Sequence, residues 1–221
     1  MRKITGAVFV SLDGVMQAPG APEEDRTGGF QLGGWLTQFF DDIVGEQVET
    51  LFTPPFDLLL GRRTYDIFAA YWPYATGEGK SLGERFDRAA KYVVTTGRQR
   101  LDWQNSHRLT SIDAIADLKR GEGPDLIIQG SGTLYPQLLS AGLIDRLTLM
   151  TFPVILGSGK RLFGEDTSPS AMRMVEHQIT PRGNIIATYR PDGAVETGSF
   201  AADEPSAAEL ERRERVEAGT W

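Results

Sequence analysis

Residues 125–135, DLIIQGSGTLY, constrain this chain more than any other stretch. Leu126, Ile127 and Ile128 form an apolar run without polar alternation, the pattern of a parallel strand covered on both faces. After the glycines, Leu134, Tyr135, Leu138 and Leu139 share one helical stripe, and Gly142 is placed to end the helix. A buried strand therefore runs straight into a helix through Gly130, Ser131 and Gly132. Glycines at such a turn let a ligand approach the backbone, and the N–H groups of a first helical turn attract anions. The combination suggests a phosphate-bearing cofactor. A tight connection without a ligand is the other reading of this turn taken alone.

The 221 residues suit one ordinary domain with an appendage, and 40% hydrophobic residues with four Trp allow a proper core. No stretch approaches the ~20 uninterrupted apolar residues of a membrane span. The N-terminal apolar run is cut short by Asp13-Gly14, so residues 4–10 read as a first strand rather than as a signal sequence. The absence of cysteine excludes disulfides, thiolate nucleophiles and sulfur-ligated metal, and fits a reducing cytoplasm. A net charge of −7 argues against a general nucleic-acid surface. His107 and His177 are isolated and offer no metal-ligand spacing.

Strand and helix patterns alternate along most of the chain. A Gly/Pro-rich loop spans residues 13–34, and apolar residues from Trp35 to Val48 predict a helix near 35–52. Residues 56–60 read as a strand and residue 61 onward as a helix that Trp72-Pro73 ends. Residues 75–83 read as a polar, glycine-rich loop; Gly77-Glu78-Gly79-Lys80-Ser81 ends like a phosphate loop but lacks the first glycine and the preceding strand. A strand at 91–95, a helix at 112–120 and a strand at 146–151 follow, with Ser106-His107 read as loop. Strands near 172–179 and 184–190, joined at Pro181-Arg182-Gly183, predict an antiparallel closing pair. The succession argues for an α/β domain over residues 1–190 with a mostly parallel sheet and helices on both faces. Residues 191–221 form a charged tail in which Ser206-Ala207-Ala208-Glu209 caps a short helix to about residue 217, mobile or docked on a neighbour.

Two further junctions share the character of the first. Gly61-Arg62-Arg63-Thr64 sets two guanidinium groups and a hydroxyl at a helix start, where cations oppose the macrodipole and an anion would relieve them. Thr95-Thr96-Gly97-Arg98 ends another strand with hydroxyls and an arginine. In a parallel sheet the C-terminal strand ends share one edge, so the three junctions can line one cleft.

In order and spacing, the three junctions resemble the dihydrofolate reductase fold, a three-layer α/β architecture. Ser11-Leu12-Asp13-Gly14 and the stretch PVILGSGKRLF at 153–163 resemble one branch of it. That branch is the RibD C-terminal domain, the reductase part of the bifunctional riboflavin-biosynthesis deaminase–reductase, with its stand-alone bacterial relatives. The resemblance covers roughly residues 2–190 and omits the tail.

The resemblance implies NADPH as cofactor. It assigns Gly61, Arg62, Arg63 and Thr64 to the cofactor's phosphates, Thr95, Thr96 and Arg98 to the adenosine 2′-phosphate, and Gly130, Ser131, Gly132, Thr133 and Leu134 to the run beneath the pyrophosphate. Dihydrofolate reductases join two glycines by a cis peptide at the third junction; Ser131 replaces the second here, which leaves the isomer open. For the substrate end, the resemblance points to Asp13 in the Ser-Leu-Asp-Gly segment and to Asp42, or its neighbour Asp41, on the helix after the first loop. A turn-forming Asp13 and an exposed helical Asp42 are the alternatives.

Hydride transfer needs only that donor and acceptor be held close and dry. The expected activity is NADPH-dependent reduction of a small heterocyclic or imine-like substrate, pterin- or pyrimidine-related, by a homodimer. The competing expectation is a nucleotide-binding regulator or sensor without robust turnover.

Overall fold

The computed structural model describes residues 1–165, 167–200 and 204–220. In chain order these residues form β1 (Ile4–Ser11), α1 (Asp42–Leu51), β2 (Phe56–Gly61), α2 (Arg62–Tyr71), α3 (Lys80–Arg88), β3 (Lys91–Val94) and β4 (Ser106–Leu109). There follow α4 (Ile112–Arg120), β5 (Asp125–Gln129), α5 (Leu134–Ser140), β6 (Arg146–Phe152), β7 (Met172–Ile179), β8 (Ile185–Pro191) and α6 (Ala207–Glu217). The strands make one sheet in the order β4-β3-β2-β5-β1-β6-β8-β7. Pairings from β4 to β6 are all parallel; β8 runs antiparallel to both β6 and β7. The expected mostly parallel sheet with an antiparallel closing pair is what forms.

Chain direction explains the layers. From β1 the chain moves outward to β2, β3 and β4, then returns through β5 and crosses β1 to reach β6. Right-handed crossovers put the helices of opposite directions on opposite faces. Accordingly α1, α2 and α3 cover one face, packing on Ala7, Leu58, Leu60 and Ile127, while α4 and α5 cover the other on Ile4, Leu59, Leu126 and Ile128. Both faces of β2 and β5 are buried, which accounts for their unbroken apolar sequences.

The N-terminal edge of the sheet is closed by charges. Arg2 is buried in an ion pair with Asp57, and Asp57 also accepts the Ala90 N–H at 3.0 Å. Lys119 pairs with Asp145, whose carboxylate accepts the Ile4 N–H at 2.7 Å. Lys91, fully buried, donates to the carbonyls of Phe86, Asp87 and Ala89 at the end of α3 and lies 4.3 Å from the Trp103 ring centre. Burial lowers its pKa to about 8.

Three sequence expectations need correction. The helix expected near 35–52 starts only at Asp42: residues 33–39 are turns, Gly34 takes φ +80°, and Asp41 stops helical geometry by capping α1 through the Val44 N–H at 3.0 Å. Trp35 and Leu36 are buried, so their spacing reflects contact with the core rather than a helix. The expected loop at 75–83 contains the start of α3, which buries Leu82 and Phe86 four residues apart. Gly83 is a packing glycine there: a Cβ would stand 2.5 Å from the Trp72 carbonyl. Ser106-His107 belongs to β4, an edge strand that pairs with β3 and is too short and polar to show alternation. The tail helix forms as expected, with the Ser206 hydroxyl accepting the Glu209 N–H at 3.3 Å, and no residue of it is buried.

Candidate functional site

Strands β2 and β5 stay in register only as far as Leu58 and Ile127 and then diverge. The Gly61 N–H at the end of β2 donates instead to the Ser131 hydroxyl at 2.9 Å. In return the Ser131 N–H donates to the Thr64 hydroxyl at 2.9 Å. These two bonds join the start of α2 to the turn before α5. The turn needs Gly130, which takes φ +65° and would bring a Cβ to 3.1 Å from Thr64 Cγ2. Ser131 takes φ +55°, and the Gly130–Ser131 peptide is trans. Gly132 lies beneath Met16, so the first loop rests directly on this turn.

The two joined junctions form one wall of a cleft of about 1540 Å³ at the C-terminal edge of the sheet. Gly61, Arg62, Arg63, Thr64, Gly130, Ser131, Gly132 and Thr133 all lie on it. Leu134 does not: it is buried in the α5 core, and its N–H is already bonded to the Ser131 carbonyl at 2.9 Å. Thr95, Thr96 and Arg98 are also off the wall. Their segment is tied to the first turn of α2 nonetheless, because Arg62 donates to the carbonyls of Gln99 and Arg100 at 3.3 and 3.0 Å. Thr95 accepts the Gly97 N–H at 3.1 Å.

The arginines divide into engaged and free. Arg62 forms an ion pair with Asp66, 2.8 Å away on the next helical turn. Arg63 and Arg98 are exposed and make no hydrogen bond or ion pair among the described residues. The α2 N-cap, Gly61, has no side chain to accept the first-turn N–H groups. An anion at this helix start would meet uncapped donors and a free guanidinium.

The carboxylates expected at the substrate end are engaged in loop and helix contacts. Asp13 ties two loops together: it accepts from Ser11 Oγ at 2.7 Å and from the N–H groups of Leu156 and Gly157 at 3.0 and 2.9 Å, with Arg161 3.3 Å away. These donors hold its pKa down at about 2. Asp42 is exposed in the first turn of α1, and Asp41 is the cap of that helix, bonded also to Asn184 at 3.1 Å. None of the three lines the cleft.

The cleft wall instead carries Glu23, Glu24, Asp25 and Asp66. Glu24 is half-buried and accepts the N–H groups of Gly20 and Ala21 at 2.7 and 3.2 Å, and burial pushes its carboxyl above the usual range. Its loop is clasped by Gln17. The Gln17 amide donates to the carbonyls of Asp25 and Thr27 at 3.0 and 2.9 Å and accepts the Lys160 N–H at 3.0 Å; the Lys160 ammonium binds Asp25. Phe9, Phe40, Val48, Phe52, Ile67 and Phe68 supply an apolar lining. Sequence reasoning overlooked Gln17, Glu24, Lys160 and the strand-end Gln129. The acidic run Glu23-Glu24-Asp25 inside a Gly/Pro-rich loop was the available signal for the second.

Comparison with known proteins places this architecture. The uncharacterized protein YyaP of Bacillus subtilis (strain 168) is 27% identical over 139 residues, 62% of this chain and 74% of its own length. A Shewanella sp. PV-4 structure, provisionally assigned to riboflavin biosynthesis, superposes with a TM-score of 0.64 at 20% identity, covering 86% of this chain and 99% of that one. Dihydrofolate reductase from Enterococcus faecalis, solved with NADP(H) and an inhibitor, superposes with a TM-score of 0.56 at 15% identity over 86% and 96%. These two likenesses establish a dihydrofolate reductase-like fold. The RibD C-terminal domain profile matches residues 2–186, and the chain belongs to that family.

Proposed function

We propose that this chain is an NADPH-dependent reductase that delivers hydride to a small heterocyclic or imine-like substrate, pterin- or pyrimidine-related. Family membership supports the oxidoreductase class, and the Enterococcus neighbour binds NADP(H). The observation that carries the reading is the Gly61–Ser131–Thr64 joint. It fixes the uncapped start of α2, with free Arg63 beside it, against a glycine turn on the wall of a large apolar cleft. Those donors suit a phosphate-bearing dinucleotide.

When bound, the nicotinamide supplies the hydride. The chain's own residues hold and enclose. In this reading Arg63 and the first-turn N–H groups of α2 hold phosphate, and Arg98 answers the 2′-phosphate. The Gln17–Asp25–Lys160 clasp sets the first loop at the cleft edge and limits water. Glu24 is the wall carboxyl whose burial favours the protonated form, which suits it to hand a proton to the substrate.

Fluorescence titration with NADPH and NADH, then NADPH oxidation over a panel of heterocycles, tests the assignment. Absence of NADPH binding refutes it; binding without turnover on any substrate favours a nucleotide-responsive regulator. Arg63→Ala should weaken NADPH and NADH alike, whereas Arg98→Ala should weaken NADPH about tenfold more than NADH, the ~1.4 kcal/mol of one charge-assisted contact. Equal losses for both cofactors in Arg98→Ala would remove the 2′-phosphate role.

A cytoplasmic homodimer completes the proposal. The chain has no cysteine, no helix among the described residues is long and apolar enough to cross a membrane, and edge strand β7 exposes Met174, Val175 and Ile179. Light scattering should return about twice the 24.3 kDa chain mass; a monomeric mass at micromolar concentration rejects the dimer.

A further inference from the structure

The cleft lining holds a polar atom that no described residue answers. Gln129 is the last residue of β5. Leu126 and Ile128 belong to the core under α4 and α5, and Ile127 to the core under α2 and α3, so strand alternation sends Gln129 to the cleft side. It lines the cleft, as do Val48, Phe52 and Ile67. Its amide oxygen is buried without a hydrogen-bond partner, and its amide nitrogen makes no hydrogen bond among the described residues.

A buried amide oxygen without a partner disfavours the folded state, whereas Leu or Met would fill the same space without that cost. Packing therefore gives no reason for an amide here. A side-chain amide presents a donor and an acceptor side by side, and its two orientations are interchangeable by rotation. The matching ligand group is another amide edge, in which an N–H adjoins a C=O. A ring lactam has that edge, and so does a carboxamide.

We propose that Gln129 is a ligand-reading residue whose side-chain amide pairs with an amide edge of the bound ligand, either a ring lactam of the substrate or the carboxamide of the nicotinamide. Assigning the two sources rests on the reductase reading above. The pairing itself rests on the unanswered amide.

The test compares the full-length protein with Gln129→Met. The ligand-free variant should melt at the same temperature as the parent or higher, because no protein partner is lost. NADPH and its 3-acetylpyridine analogue, which has a methyl ketone in place of the carboxamide, form one titration arm. Lumazine and 1,3-dimethyllumazine, with and without ring N–H groups, form the other. A cofactor contact appears as at least tenfold weaker NADPH binding with the acetylpyridine analogue, which keeps only the carbonyl acceptor, weakened less. A substrate contact appears as at least tenfold weaker lumazine binding with the dimethyl compound, which keeps only the carbonyl acceptors, weakened less and NADPH unchanged.

A lower melting temperature for the ligand-free variant overturns the proposal, since it would mean the amide serves the fold. So does a change below twofold for both NADPH and lumazine, including a parent protein that takes up neither. Failure of the parent to bind NADPH, with lumazine binding lost on substitution, rejects the reductase reading but keeps the role of Gln129.

Discussion

Replacing Ser131 separates two opposed energies at the joint between the junctions. Its hydroxyl is the acceptor for the buried Gly61 N–H at 2.9 Å. Removing it strands a buried donor, a loss of about 1–3 kcal/mol. Ser131 also sits at φ +55°, a left-handed conformation that costs a residue with a Cβ roughly 1–2 kcal/mol relative to glycine. Ser131→Ala keeps that strain and loses the acceptor, so it should destabilise by about 2 kcal/mol. Ser131→Gly loses the same acceptor but sheds the strain, leaving a net loss of about 1 kcal/mol or less. The Ser131 N–H to Thr64 bond is a backbone donation and survives both changes.

Guanidinium denaturation followed by Trp fluorescence measures the difference, with the m-value expected to stay constant. For a chain of this size the shifts correspond to roughly 4–8 °C in Tm for the alanine variant and about half that for the glycine variant. The order parent, glycine, alanine is the diagnostic result. An alanine variant as stable as the glycine variant would show that the left-handed strain is not real. An alanine variant within about 0.5 kcal/mol of the parent would show that water replaces the hydroxyl at Gly61.

Two further perturbations test charges placed by the fold. The Lys91 pKa, lowered by burial to about 8 from 10.5, means that between these values the unfolded chain binds the extra proton. The parent should therefore gain stability relative to Lys91→Met as pH rises from 8 to 10.5, by about 3 kcal/mol at most, with no change below pH 8; a flat difference in chemical denaturation across that window contradicts the burial argument. The Asp13 carboxyl, held at about 2, contributes stability that is present above pH 4 and lost as pH falls through 2. Asp13→Asn should lower stability by about 1 kcal/mol at neutral pH, roughly half of what the shift implies because water reaches the carboxylate and competes with its donors, with the gap closing toward pH 2. If the variant instead keeps full stability and loses hydride transfer, Asp13 serves the substrate and not the loops.

Much of the fold was legible because burial imposes local periodicity. The two-sided burial of β2 and β5 produced apolar runs, and α4 spans the residues 112–120 expected for it. Periodicity misled where a turn faces the core, as at Trp35 and Leu36, because contact with the core does not require a helix. Composition misled at Gly83, where the glycine answers the Trp72 carbonyl and not a turn. The anion-type junctions at 61–64 and 130–133 were visible as strand-glycine-helix signatures, and the structure brings them to one wall.

By itself, then, the sequence determined the α/β succession, the parallel core and the two glycine-bearing helix starts, since each is written in neighbouring residues. Only the tertiary structure decided what the polar side chains do. Asp13 meets its loop partners 143 and 144 positions away, Gly61 meets Ser131 across 70, and the amide oxygen of Gln129 meets no partner among the described residues. Hydrogen bonds act over about 3 Å of space regardless of separation along the chain, so such roles exist only once the sheet has brought distant segments together.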